Sequence, residues 1–206
     1  MFKLAVLASG RGSNFASIVE KIEAGELPGV VADVLVSDNP QARALEIARE
    51  HGIEGAVFRR EDYPTNKAHN QAMADFLKAR GIDLIVLAGY MRIVRAPLLE
   101  AFPNRIINIH PALLPSFPGL DGQKQALEWG VRYSGCSVHF VDADVDHGPI
   151  ILQAVVPVEQ DDTVETLSAR ILKEEHNLLP RAIGLIAAGK VVIEGRRVRI
   201  VSNAER

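Results

Sequence analysis

An amide and an imidazole stand two residues apart in the stretch Arg105-Ile-Ile-Asn108-Ile-His110-Pro-Ala-Leu-Leu-Pro115-Ser-Phe-Pro-Gly119. The apolar residues around them read as a strand. Side chains alternate across a strand, so Asn108 and His110 share one face. Val or Ile would suit both positions better, and two polar groups among apolar neighbours need partners. The chain then enters a loop stiffened by Pro111, Pro115 and Pro118, each of which fixes its own φ. An amide that donates, beside an imidazole that gives or takes a proton, suits reactions in which charge develops on a carbonyl oxygen. Three carboxylates follow a later strand, in Asp142-Ala-Asp144-Val-Asp146-His147-Gly148-Pro149. One of them is expected to meet the amide–imidazole pair and orient or charge the ring. The Gly148-Pro149 turn would fix Asp146 best, whereas Asp144 reads as solvated. A calcium loop is rejected: His147 stands where its glycine is needed and Gln153 where its bidentate glutamate is needed.

A second motif, Ser9-Gly-Arg-Gly-Ser-Asn14, joins an apolar run to a helical pattern. Amides at a helix start attract anions, and glycine lets a phosphate approach. Phe15 occupies the third glycine position of a dinucleotide fingerprint, and the Gly-Lys-Ser/Thr ending of a P-loop is missing. The motif therefore predicts a seat for one terminal phosphate, with Ser13 and Asn14 adding donors. The plainer alternative is a strand–helix turn capped by Ser13. His139 falls on the strand face opposite Cys136 and is read as a satisfied structural histidine. Cys136 alternates with Val138 and Phe140 and is read as a small core residue.

These groups need a scaffold. Phe2 to Ala8 is continuously apolar, as in a strand buried on both faces. Further strands are predicted at Val30–Val36, Ile53–Phe58, Leu84–Ala88 and before His110, separated by helical patterns after Asn14, over Pro40–His51, from Thr65 to Arg80 and around Pro97–Ala101. Such alternation implies a parallel sheet with right-handed crossovers. Ligands of open α/β sheets bind beyond the carboxyl ends of the strands, which would gather Gly10–Asn14, Gly89–Val94 and Asn108–Gly119 about one crevice. The second half changes style. A short helix at Gln123–Trp129 precedes strands at Ser134–Val141 and Pro149–Val156, whose short connection suggests an antiparallel pair. A long helix over Thr163–Ala188, with Pro180 as a candidate bend, leads to a hairpin around Glu194-Gly195.

The 206 residues are 48% hydrophobic and 24% charged, a globular balance. A net charge of −3 argues against nucleic acid as a partner; Arg196, Arg197 and Arg199 read as the solvated face of the hairpin. The single cysteine allows no intrachain disulfide and fits a reducing, cytoplasmic compartment. The first residues read as a strand, not a signal peptide, and the longest apolar run, Leu84 to Met91, is too short for a bilayer.

In order and spacing, these stretches resemble the folate-dependent glycinamide ribonucleotide formyltransferase family of purine biosynthesis. The likeness rests on Ser9–Asn14, on Leu87-Ala-Gly-Tyr-Met-Arg92-Ile-Val, on Asn108-Ile-His110-Pro-Ala-Leu-Leu-Pro115 and on Phe117-Pro-Gly-Leu120. It continues through Ser137-Val-His-Phe140, Asp146-His-Gly-Pro-Ile150 and Glu175-His176. The resemblance implies an α/β, Rossmann-like formyltransferase fold, mostly parallel in the N-terminal half, with antiparallel strands and a long helix in the C-terminal half. It also implies one domain over 1–206, with a phosphate-binding half (1–110) and a half completing folate binding and catalysis (111–206). The implied reaction moves the formyl group of 10-formyltetrahydrofolate, a co-substrate, to the amine of 5′-phosphoribosylglycinamide. The implied catalytic residues are Asn108, His110 and Asp146, with Asp146 acting through ordered water and no metal required. Gly12, Ser13 and Asn14 would hold the phosphate and Glu175 the ribose. Met91, Arg92, Ile93, Val94, Val141 and Asp142 would line the folate pocket. The implied partners are these small molecules, with neither nucleic acid nor membrane, in a monomer or homodimer.

Two departures from the family pattern stand out. Asp121 follows Leu120 where many members carry histidine. Asn66 stands where many carry a folate-holding arginine, a charge that Lys67 would supply from the next position. Methionyl-tRNA and sugar-nucleotide formyltransferases tend to continue differently after Leu-Leu-Pro. The tRNA enzyme also needs a second, basic domain, for which the chain is too short. Formyltetrahydrofolate hydrolase shares the three catalytic residues and usually carries an extra N-terminal domain; the strand beginning at Phe2 argues against it. The three residues by themselves do not exclude hydrolysis. A nucleotide-binding module without catalysis would keep Gly10–Asn14 but has no need of Asn108, His110 and Asp146 together.

Overall fold

The first strand, β1 (Phe2–Leu7), owes its place to an unbroken apolar run: Leu4 to Leu7 have no exposed surface. Burial on both faces is what a central parallel strand requires. In the computed structural model, which describes residues 1–202, the chain divides into two compact units between Ile107 and Asn108.

The first unit alternates strand and helix as the sequence predicts: β1, α1 (Ser13–Glu23), β2 (Val30–Ser37), α2 (Arg43–Glu50), β3 (Glu54–Val57), α3 (Asn66–Ala79), β4 (Leu84–Leu87) and α4 (Ala96–Ala101). The strand order is β3-β2-β1-β4, with β1 paired in parallel to both β2 and β4 and β2 in parallel to β3. Phe15, Ile18 and Val19 form the buried face of α1. α2 begins later than the pattern from Pro40 suggests. The Asn39 side chain accepts a hydrogen bond from the Gln41 amide at 3.0 Å, an Asx turn that competes with the first helical turn. A 3-10 turn at Arg60–Asp62 was not foreseen. Thr65 caps α3 by accepting from the Ala68 amide.

β5 (Ile106–His110) carries the chain into the second unit, where the order runs β5-β6-β7 with β6 (Tyr133–Phe140) antiparallel to β7 (Ile150–Pro157). α5 (Gly122–Trp129) precedes β6. The long α6 (Val164–Ala187) opens with a reciprocal Thr163–Thr166 capping box. It packs on β6 and β7 and buries Leu167, Ile171, Leu178 and Leu179. Pro180 removes one backbone donor yet lies on this buried face, and the helix continues to Ala187. β8 (Val191–Glu194) and β9 (Arg197–Ile200) form the terminal hairpin.

The proline-rich loop after β5 is pinned by one buried hydroxyl. Ser137 on β6 donates to the Ala112 carbonyl at 2.7 Å and accepts from the Leu114 amide at 3.0 Å. Gln153 on β7 adds bonds to Ser137 and to the Leu114 carbonyl. Ser137→Ala would strand these buried groups together. It should cost about 2 kcal/mol of unfolding free energy in urea titrations, whereas Ser168→Ala on α6 should stay near neutral.

Candidate active site

Asn108 and His110 point to one face of β5, as their spacing predicts, and Asp146 meets them there. Asp146 lies in the loop between β6 and β7, and its backbone is in the left-handed region at φ 51°. Its Oδ2 is 3.2 Å from His110 Nδ1 and accepts from the Gly119 amide at 2.8 Å. Its Oδ1 accepts from Asn108 Nδ2 at 3.3 Å and lies 3.5 Å from His139 Nε2. The contact to His110 is thus direct, not the water-bridged one the resemblance implied. Gly148 makes the loop tight enough to present Asp146, because a Cβ there would fall 1.8 Å from the Phe140 carbonyl oxygen.

His139 is buried and satisfied at both ring nitrogens, as the sequence reading has it, and it also touches the cluster. Its Nδ1 does face a carbonyl, that of Phe140, at 2.8 Å. Its Nε2, however, lies 3.2 Å from Asn108 Nδ2, inside the cluster. The pairing of β6 with β7 shifts register between Val138 and His139. The extra residue is Ile151 on β7, so alternation along β6 holds and keeps His139 on the face of Ser137, opposite Cys136, as the sequence predicts. The ring thus meets a carbonyl with one nitrogen and the Asn108–Asp146 pair with the other.

His110 is buried, with Nε2 2.8 Å from the Phe117 carbonyl and Nδ1 on Asp146. Both partners only accept, so both contacts are hydrogen bonds only when the ring is doubly protonated. Burial opposes that charge. It pushes His110 below the ordinary histidine value, against the pull of Asp146 and the Phe117 carbonyl. Burial works the other way on Asp146, but His139, the Gly119 amide and His110 outweigh it and hold the carboxyl below its usual range. The cluster therefore joins a firmly ionised carboxylate to a ring whose proton is held in place yet readily given up.

The remaining expected residues fall as follows. Val141 and Asp142 open the loop that carries Asp146. Asp142 accepts from the Asp144 amide at 3.0 Å and contacts His147 Nδ1 at 3.1 Å. Asp144 is exposed, as predicted. Glu175 is buried on α6. Cys136 has no exposed surface, and burial, with Glu175 and Glu174 adding to it, pushes its thiol up to about 12. It is the inert core residue expected.

In the first unit, Gly12 is the N-cap of α1, at φ 73°, so Ser13 is the first helical residue and not the cap. A Cβ on Gly12 would lie 2.7 Å from that of Ala44. The first turn of any α-helix presents amides without intrahelical acceptors, which gives the Gly12-Ser13-Asn14 segment the geometry of an anion seat. Ser9 Oγ accepts from the Met91 amide at 2.8 Å. Met91 and Ile93 are exposed while Val94 is buried. Arg92 is half-exposed and bonds Asp38 through Nε at 2.8 Å. Asn66 accepts from Arg60 Nε. Together with Lys67, Arg95, Ala96, Pro97 and Glu100, it lines a cavity of about 440 Å³. Arg95 was not singled out from the sequence; a cation one residue beyond an apolar run carries no local mark of function.

The family described as formyl transferase matches residues 2–183. The phosphoribosylglycinamide formyltransferase of Bacillus subtilis (strain 168) is 43% identical over 183 residues, spanning 89% of this chain and 93% of that protein. The crystal structure of glycinamide ribonucleotide transformylase 1 from Symbiobacterium toebii shares 53% identity at a TM-score of 0.96, covering 98% of this chain and 95% of that one. The trifunctional purine biosynthetic protein adenosine-3 of Drosophila melanogaster is 42% identical over 193 residues, or 93% of this chain, which spans 14% of that longer protein.

The direction of the His110 shift has a thermodynamic consequence. As pH falls below about 6.5, an unfolded chain protonates this histidine while the folded one resists. Unfolding free energy should therefore decline with falling pH until the lowered native value is passed, at no more than about 1.4 kcal/mol per pH unit for this group. His110→Gln should flatten that decline in denaturant titrations between pH 7 and 5.

Proposed function

The chain belongs to the phosphoribosylglycinamide formyltransferases, and from that premise we propose that Asn108, His110 and Asp146 carry out its chemistry. The reaction transfers a formyl group to the amine of 5′-phosphoribosylglycinamide in de novo purine biosynthesis. The formyl donor is folate-derived, and we take it to be 10-formyltetrahydrofolate. The observation that supports the assignment best is the convergence of an amide, an imidazole and a carboxylate, from two strand positions and a distant loop, within hydrogen-bonding reach.

The amine lone pair attacks the formyl carbon, and the carbonyl π electrons move onto oxygen. His110 Nε2–H and the Asn108 amide are the donors for that oxyanion. Both are engaged within the protein: Nε2 with the Phe117 carbonyl, Asn108 with Asp146 and His139. Formyl oxygen replaces these acceptors, so the donors strengthen a bond where negative charge grows. Asp146, held ionised by its surroundings, keeps His110 oriented and accepts the proton that the attacking amine sheds. That proton passes to the folate nitrogen as the carbon–nitrogen bond breaks and the carbonyl re-forms. The products are the formylated amide and tetrahydrofolate.

For the substrates, Gly12, Ser13 and Asn14 are proposed to take the ribonucleotide phosphate and Glu175 its ribose. Met91 to Val94, Asn66 and the Val141–Asp142 segment are proposed to receive the folate. One functional domain is proposed, as the resemblance implies, with a phosphate-binding half (1–110) and a half completing folate binding and catalysis (111–206). Among the described residues no helix is long and apolar enough to cross a membrane. We assign the enzyme to the cytoplasm on the chemistry of its small-molecule substrates.

Purified protein should release deformylated folate only when the ribonucleotide is present; release without it would indicate hydrolysis. His110→Ala and Asp146→Asn should each lower kcat by about 10²-fold or more while changing ribonucleotide affinity little, as read by calorimetry. Equal loss of turnover and affinity would overturn the catalytic assignment.

A further inference from the structure

The loop that presents Asp146 is tied down from outside by the terminal hairpin. Arg196, at the turn between β8 and β9, donates from Nη2 to the His147 carbonyl at 2.7 Å. Its Nη1 lies 3.4 Å from His147 Nδ1 and 3.2 Å from Nε2. Near-equal distances set the guanidinium against the ring as a whole and not on one lone pair. Asp142 holds the same ring from the other end of the loop, Oδ2 to Nδ1 at 3.1 Å. The sequence singled out Arg196 only as part of a solvated basic cluster.

We propose that Arg196 is a positioning residue for the formyl transfer, fixing Asp146 by gripping the residue that follows it. Asp146 sits in the left-handed region at φ 51°, a conformation that persists in a non-glycine residue only where the surroundings over-determine it. The Asp142–Asp144 and Asp142–His147 contacts are internal to the loop and would travel with it. The bond from Arg196 to the His147 backbone ties the loop to a separate element, one residue past Asp146. It opposes the φ/ψ rotations by which the carboxylate would drift from His110 and Gly119. Each contact is exposed, so its stake in global stability is small. Its leverage is geometric, since displacements of about 1 Å at reacting groups cost up to about 10²-fold in rate.

The inference rests on the catalytic reading of Asp146, and the test separates the two. Arg196→Ala and Arg196→Lys are compared with Asp146→Asn in steady-state assays. The Gly119 amide, which donates to Asp146 Oδ2, is followed in ¹H–¹⁵N spectra. Arg196→Ala should lower kcat about tenfold, leave KM for the ribonucleotide unchanged and shift the Gly119 amide resonance. Arg196→Lys, which keeps one donor for the carbonyl, should recover at least about threefold of the loss. It also serves as the readout should Arg196→Ala fold poorly. An unmoved Gly119 resonance with unchanged kcat in both variants would overturn the proposal. Loss of kcat without recovery by lysine or movement of Gly119 would also overturn it. Full turnover in Asp146→Asn would instead overturn the catalytic reading while leaving the Gly119 shift as evidence for the grip.

Discussion

The carboxylate of Asp146 is the group on which the second unit depends. Its side chain is 9% exposed, and burying an unpaired charge costs several kcal/mol. Repayment comes from His110, His139, Asn108 and the Gly119 amide acting together. Hydrogen bonds to a charged acceptor contribute about 1.5–3 kcal/mol each, so no one of them suffices. This requirement reaches far along the chain. It needs two polar residues on one face of β5, His139 on the facing side of β6, a left-handed residue in the β6–β7 loop and a proline-rich segment returning to offer Gly119. Ser137 and Gln153 hold that segment, and they too are buried polar groups satisfied by one another.

The same balance sets the reactivity. Burial alone would neutralise both members of the His110–Asp146 pair. Their partners reverse that for the carboxylate and only resist it for the ring. An ionised acceptor beside a ring reluctant to keep its proton is the pair that the proposed proton transfer calls for. Before substrate enters, the donors of Asn108 and His110 are already spent on protein oxygens and nitrogens. Their orientation is therefore fixed in advance, and the reorganisation that water would demand is avoided.

The first unit solves a simpler problem. Its parallel strands are saturated with apolar contact, and its functional content is confined to the loops that leave them. Gly12 illustrates the economy of that arrangement: the left-handed turn and the close approach of Ala44 both demand glycine, and the turn exposes the helix start behind it. The charged groups of this unit, Arg92 with Asp38 and Lys67 with Arg95 about their cavity, lie outside its apolar core.

Local sequence determined much of this. Apolar runs at Leu4–Leu7 and Leu84–Leu87 mark parallel strands buried on both faces, because an unbroken run leaves no polar face for water. Strand alternation alone puts Asn108 and His110 side by side. Gly12 and the absence of a third glycine at Phe15 mark an anion turn and not a dinucleotide site. What tertiary structure decided is everything that depends on two distant segments meeting. Asn39 shortened α2 by a side-chain bond that competes with the helix. His139 met Asn108 and Asp146 only when β5 and the β6–β7 loop came to lie beside its face of β6, a meeting written in no single strand. Arg196, one charge among several on a hairpin, acquired its role only when the turn came to rest on the His147 carbonyl. Periodicity and turn chemistry are properties of neighbours along the chain, so they are legible there. Desolvation and partnership are properties of neighbours in space, and only the folded chain defines them.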